Sequence, residues 1–247
     1  MKPPAPKRSK KPAPKRPAVM TGAAIPVLRW PPDEDRVETI FERLSAFMPD
    51  PKTELNYTNP FTFVVAVALS AQATDVGVNK ATEKLFKVAD TPEKMLALGE
   101  EGLIPFINSI GLYRGKAKNV IALSRLVLEK HGGDVPLNRD ELQALPGVGR
   151  KTASVVLNEM GVEPAIAVDT HVFRVSHRLG LANAATPDKV EAQLHRIVPE
   201  DWLPKAHHWL ILHGRYTCTA RRPKCTACVI NDLCPSRAGL MALGEAA

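Results

Sequence analysis

The segment Leu145-Pro146-Gly147-Val148-Gly149-Arg150-Lys151-Thr152-Ala153 combines residue types that can hold a phosphate and attack a carbon beside it. Pro-Gly-Val-Gly permits a tight turn with positive φ values, and its glycines let backbone approach a ligand closely. A helix opening just after the turn would present its first N–H groups outward with a partial positive charge, a seat for one phosphate. Gly147, Val148, Gly149 and Arg150 are the candidate contacts. Lys151 falls in the first turn of that helix, where the helix dipole favours the neutral amine over the ammonium. A free amine beside a bound phosphodiester can attack an electrophilic sugar carbon and form a Schiff base. The same residues also suit a plain corner packing two helices, with Lys151 a solvated charge.

A second concentration of chemistry is Cys218, Cys225, Cys228 and Cys234, which are all the cysteines of the chain, spaced Cys-x6-Cys-x2-Cys-x5-Cys. Four thiolates at these intervals can bind a structural zinc or a cubic iron–sulfur cluster. Paired Cys-x2-Cys knuckles and alternating histidines, both usual for zinc, are missing, which favours iron–sulfur; a zinc-stabilised helical scaffold stays open. Arg221, Arg222 and Lys224 lie between the first two cysteines, in a loop that a metal centre would brace against a phosphate backbone.

These groups need elements to position them, and the chain is long enough to supply them. Its 247 residues make one large domain or two small ones, with no disulfide staple required. Apolar residues come in short broken runs, none near the roughly 18–20 of a bilayer span, so a membrane protein is not expected. The formal charge of +7 sits in the first 20 residues, which carry seven of the 33 Lys and Arg and no acid. The remainder is neutral, so any polyanion site on the body must come from local clustering. Met1-Lys2-Pro3 opens no apolar run, and a reducing cytosol is expected. Residues 1–30, rich in Pro and Lys, read as a disordered basic tail. That tail suits salt-sensitive phosphate contacts, simple solubility, or a nuclear address.

Beyond the tail the punctuation is helical. Thr91-Pro92 and Thr186-Pro187 pair an N-cap hydroxyl with a first-turn proline, and Asn138 with Glu141 forms a variant capping box. Ala117, Val120, Ile121, Val127 and Leu128 keep a 3.6-residue period up to Gly132-Gly133, and Val190, Leu194, Ile197 and Val198 make another stripe. Alternating β patterns are scarce, so the expectation is an all-α body of about ten short helices, without internal repeats.

With these motifs in place, the chain resembles the endonuclease III family of DNA glycosylases with abasic-site lyase activity over residues 33–236. The resemblance rests on Leu69-Ser70-Ala71-Gln72-Ala73-Thr74-Asp75, Ile110-Gly111-Leu112-Tyr113, the Leu145–Ala153 segment, Val168-Asp169-Thr170-His171-Val172-Phe173-Arg174-Val175, His207 to Tyr216 and the cysteine spacing. It implies a helix-hairpin-helix DNA glycosylase fold. A six-helix barrel would span 53–163, and a second helical domain would be built from 31–52 and 164–236 around a [4Fe-4S] cluster on the four cysteines. Residues 237–247 would be a flexible C-terminus, and duplex DNA would lie between the domains.

Carried over residue by residue, Lys151 is implied as the nucleophile at C1′ and Asp169 as its carboxylate partner, which also suits a helix N-cap. Gln72 and Leu112 would fill the gap left by an extruded nucleotide, and His171 would line the lesion pocket. The implied activity is removal of oxidised pyrimidines from duplex DNA and cleavage at the abasic site by β-elimination. A monomer is expected, cytoplasmic and nucleoid-associated in a bacterium, nuclear in a eukaryote. Arg114-Gly115 beside Leu112 departs from the family pattern and leaves the substrate range open. Lys151 argues against the adenine-mismatch branch. A pyrimidine-dimer glycosylase and a non-catalytic damage-binding module are the alternatives; a pure binder needs neither Lys151 nor an aspartate 18 residues on.

Overall fold

The structure, a computed structural model, describes residues 29–242. The expected basic tail falls outside them except for Arg29 and Trp30. Among the described residues there are eleven helices and no strand: α1 (Glu34–Phe47), α2 (Pro60–Ser70), α3 (Asp75–Leu85), α4 (Pro92–Ile107), α5 (Tyr113–His131), α6 (Arg139–Ala144), α7 (Arg150–Glu159), α8 (Thr170–Arg178), α9 (Pro187–Ile197), α10 (Leu203–Tyr216) and α11 (Arg237–Ala242). No helix among them is long and apolar enough to cross a membrane.

Local chemistry accounts for most helix ends. Asn59 and Thr62 close a reciprocal capping box at the start of α2, with Pro60 in the first turn. The Thr91 and Asn138 side chains accept from Lys94 N–H and Glu141 N–H, as their positions suggest. Thr186 differs: α9 begins at Pro187, but the Thr186 hydroxyl makes no capping bond. In α5 the last turn closes on Gly132 at φ 61°, with Gly133 N–H reaching back to Val127 O at 3.1 Å, an end that suits glycine. Gly99, at φ 66°, breaks α4 internally, and the eleven helices agree with the expected number of about ten.

The apolar side chains gather into two clusters. One is formed by the six helices α2 to α7, and in it the α2 residues Phe63, Val64, Val65, Ala66 and Leu69 are fully buried. A helix apolar all round must lie inside. The other joins Val37, Ile40, Phe41 and Leu44 of α1 to α8, α9, α10 and Ile230 near the cysteines. At the C-terminus, the expected flexible segment from 237 gives way to α11. Its Leu240 is 8% exposed, because an apolar side chain beside the cysteine loop gains by leaving water. Residues 243–247 lie outside the described part.

Candidate active site and metal centre

The hairpin forms between α6 and α7. Val148 N–H closes the turn on Leu145 O at 3.0 Å. Gly147 takes φ 81°, and a Cβ there would meet Asn119 Cβ at 3.1 Å, so both conformation and space demand glycine. Gly149 has φ −91° and serves as the N-cap of α7 without a side-chain cap. The first intrahelical bond is Ala153 N–H to Gly149 O, so the preceding N–H groups of α7 are left to an outside acceptor. Val148 contributes only backbone at this surface, since its side chain is 4% exposed in the first core. Arg150 Nε donates to Glu191 Oε2 at 3.1 Å, with Asp188 at 4.0 Å. Two carboxylates on α9 attract its guanidinium and tie the hairpin to the second core.

Lys151, Asp169, His171 and Gln72 line one open cavity of about 460 Å³. Lys151 is exposed, and no hydrogen bond or ion pair engages its Nζ among the described residues. Asp169 caps α8: its Oδ1 accepts from His171 N–H and Val172 N–H, both at 2.8 Å. Oδ2 stays available to the cavity. The His171 ring is held by Arg174, whose Nη2 lies 3.2 Å from Nδ1. The floor is built by α10, which runs so close to α8 that a Cβ on Gly214 would meet His171 Cβ at 2.9 Å.

Several polar residues of this cavity drew no assignment in the sequence. Arg215 Nη1 donates to Asp75 at 2.5 Å and to Glu54, to which the Tyr216 hydroxyl also donates. His208 Nε2 lies 3.4 Å from Glu159, and the Tyr57 hydroxyl donates to the same carboxylate at 2.9 Å. His208 first and Tyr57 with it hold Glu159 below the usual glutamate range, while burial and Glu159 push Tyr57 up to about 12. His207 is enclosed, and burial keeps it neutral at physiological pH. The His-His pair and Asp75 stood inside the quoted motifs; their side chains, however, meet partners more than a hundred positions away or across elements, a pattern without local trace.

A second cavity of about 590 Å³ adjoins the first through Gln72 and reaches Leu112, Arg114 and Gly147. Gln72 and Leu112 stand at φ 55° and 60°, left-handed values uncommon for such residues. Leu112 is 69% exposed. Arg114 lies over the Tyr113 ring at 5.6 Å.

All four cysteines line one further cavity, with His213, Lys224 and Leu240. No disulfide joins them; Cys225 is buried and the other three are partly buried. Among the described residues, no three His, Cys, Asp or Glu side chains converge closely enough for a single metal ion. The four thiols around one cavity are the donor set that a cysteine-ligated metal centre needs. Arg178 donates to Thr219 O at 2.7 Å and Ala220 O at 3.1 Å, anchoring the loop that leads to the exposed Arg221, Arg222 and Lys224.

Residues 65–200 match the HhH-GPD superfamily of base excision DNA repair proteins, and residues 218–234 match the iron–sulfur binding domain of endonuclease III. The chain is 56% identical over 199 residues to endonuclease III of Haemophilus influenzae, covering 81% of this chain and 94% of that protein. To the Escherichia coli K12 enzyme it is 55% identical over 195 residues, 79% and 92% of the two chains. The chain belongs to the endonuclease III family. Members of this family are DNA glycosylases with abasic-site lyase activity and carry a [4Fe-4S] cluster, the group that the cysteine cavity fits. Among solved structures, a trapped endonuclease III–DNA covalent intermediate superposes with a TM-score of 0.79 at 43% identity, covering 86% of this chain and 99% of that one. A non-covalent endonuclease III–DNA complex gives 0.80 at 42%, covering 87% and 100%. A thermostable thymine-DNA glycosylase, at 23% identity and a TM-score of 0.74, shares the fold.

Proposed function

We propose that this endonuclease III family member removes oxidised pyrimidines from duplex DNA, and cleaves the strand at the resulting abasic site, with Lys151 as nucleophile and Asp169 as its carboxylate partner. The observation that carries the assignment is the free amine of Lys151 facing the same open cavity as the uncommitted Asp169 oxygen. The neutral amine attacks C1′ of the flipped nucleotide; the C1′–N bond breaks and its electron pair leaves with the base, which takes a proton. Negative charge on Asp169 stabilises the cation-like sugar, and its carboxylate takes the proton that the amine loses once bonded to C1′; the C1′–O4′ bond then breaks, O4′ takes that proton, and the nitrogen lone pair completes a ring-opened, protonated imine. Loss of a C2′ proton then expels the 3′ phosphate with the C3′–O electron pair, and water releases Lys151 from the imine. Direct glycosidic attack by an amine needs the nucleotide out of the stack, a requirement that Gln72 and Leu112 meet by filling the gap. His171 lines the pocket.

The two apolar clusters then act as two domains, 53–163 and 31–52 with 164–236, with duplex between them. Backbone N–H groups from Gly147 to Arg150 take one phosphate of the target strand; the Arg150 side chain serves the hairpin through α9. Cys218, Cys225, Cys228 and Cys234 hold the cluster, which supplies a rigid anchor for the loop of Arg221, Arg222 and Lys224 on a neighbouring phosphate. The enzyme acts as a monomer on nucleoid DNA.

Borohydride trapping on a duplex with one thymine glycol, comparing the wild type with Lys151→Gln, tests the assignment. A covalent adduct from the wild type alone is expected. No adduct from the wild type on thymine glycol or on an abasic site would overturn the lyase assignment.

A further inference from the structure

Gln72 and Leu112 are non-glycine residues in left-handed backbone conformations. Such conformations are unfavourable and persist only where the surroundings over-determine them. Neither side chain holds itself in place: both are exposed, and Leu112 opens α5 without a side-chain cap. The restraint comes from the segments around them, and one residue bonds to both segments. Lys116 N–H donates to Leu112 O at 3.1 Å, fixing the residue that starts α5. One turn into α5, the Lys116 Nζ crosses to α2 and donates to Leu69 O at 2.9 Å. That carbonyl belongs to the last turn of α2, where carbonyls lack intrahelical partners and carry partial negative charge. Three residues later comes Gln72, in a turn closed by Ala73 N–H on Ser70 O at 2.9 Å.

Lys116 is 8% exposed and has no carboxylate partner among the described residues. An ammonium withdrawn from water and met by one carbonyl is a poor device for stability alone. It is a good strut, because the distance from α5 to the end of α2 sets the span across the 590 Å³ cavity between Gln72 and Leu112. We propose that Lys116 is a positioning residue that locks Gln72 and Leu112 at the separation from which both enter the duplex. This rests on the assignment of those two residues as gap-fillers. Lys116 touches no reacting atom and acts only where there is a base stack to enter and an orphaned base to meet.

The test is the ratio of single-turnover borohydride-trapping rates on an abasic site in duplex and in the same strand alone, for Lys116→Met, which keeps length and removes the donor. The expected result is a loss of about tenfold on duplex, with the single-strand rate within about twofold of wild type. With 2-aminopurine opposite the abasic site, the fluorescence change on binding should shrink in parallel. Equal losses on both substrates, or an unchanged duplex rate, would overturn the proposal. Should the methionine variant be unstable, Lys116→Arg retains charge and donor but places them differently, and its duplex-to-single-strand ratio should still fall at least about threefold. Gln72→Ala and Leu112→Ala separate the two ideas: if neither lowers the ratio, the gap-filling assignment itself fails, whatever Lys116→Met does.

Discussion

Asp169 is asked to do two things at once, and two substitutions separate them. Its Oδ1 accepts two N–H bonds of 2.8 Å at the start of α8, so it caps the helix that also carries His171. Its charge, in the cavity with Lys151, is assigned to the chemistry. Asn is an equally good N-cap, whereas Ala loses about 0.5–2 kcal/mol of stability at such a site, and here two donors are orphaned, which points to the upper half of that range. For a domain of 150–250 residues that corresponds to roughly 2–8 °C in Tm. Asp169→Asn should therefore melt within about 2 °C of wild type and Asp169→Ala several degrees lower. Both should lose about 10²–10⁴-fold in single-turnover base removal, the usual range for a displaced acid–base group. Thermal unfolding by circular dichroism and trapping on thymine glycol duplex give the two readouts. If Asp169→Asn kept activity within about fivefold, the carboxylate charge would have no catalytic part. If both variants melted together, the cap would be idle.

Gly214→Ala should destabilise by about 1–3 kcal/mol. The new methyl carbon would stand 2.9 Å from His171 Cβ, 3.0 Å from Val175 Cγ2 and 3.3 Å from His171 O, so α8 and α10 must part, and thermal melting reads the cost. Stability should fall as pH drops from about 6.5 toward 5. Burial lowers the folded-state pKa of His207, so only the unfolded chain takes up that proton in this window, and the contribution is fully present above the unfolded value. His208 and Lys151 act in the same sense and Asp169 against it. His207→Phe should flatten the dependence of Tm on pH between 5 and 7; an unchanged slope would refute the assignment.

Much of the frame was readable because it is local. Asn138, Thr91 and Asp169 cap helices through bonds to N–H groups two or three positions away, and the hairpin turn follows from Gly147, whose φ of 81° only glycine adopts freely. Thr186 shows the limit of such signals, since a favourable cap residue left its bond unmade. Arg150 shows a different limit, a partner supplied by tertiary packing. A basic side chain in a phosphate-binding turn is a reasonable contact until Glu191 arrives from another helix, 41 positions on.

The four cysteines, the lysine after Pro-Gly-Val-Gly and the helix-forming periodicity were determined by the sequence alone, because residue type and short spacing suffice to specify them. Which of those groups share a cavity was decided by tertiary structure. Lys151 and Asp169 line one cavity with residues of α10, which packs on α8 at an approach that Gly214 permits. Lys116, which lies outside every motif quoted from the sequence, is buried with its ammonium on Leu69 O only because the end of α2 comes within its reach. Long-range partners obey packing and charge across the whole chain, and no local pattern encodes them.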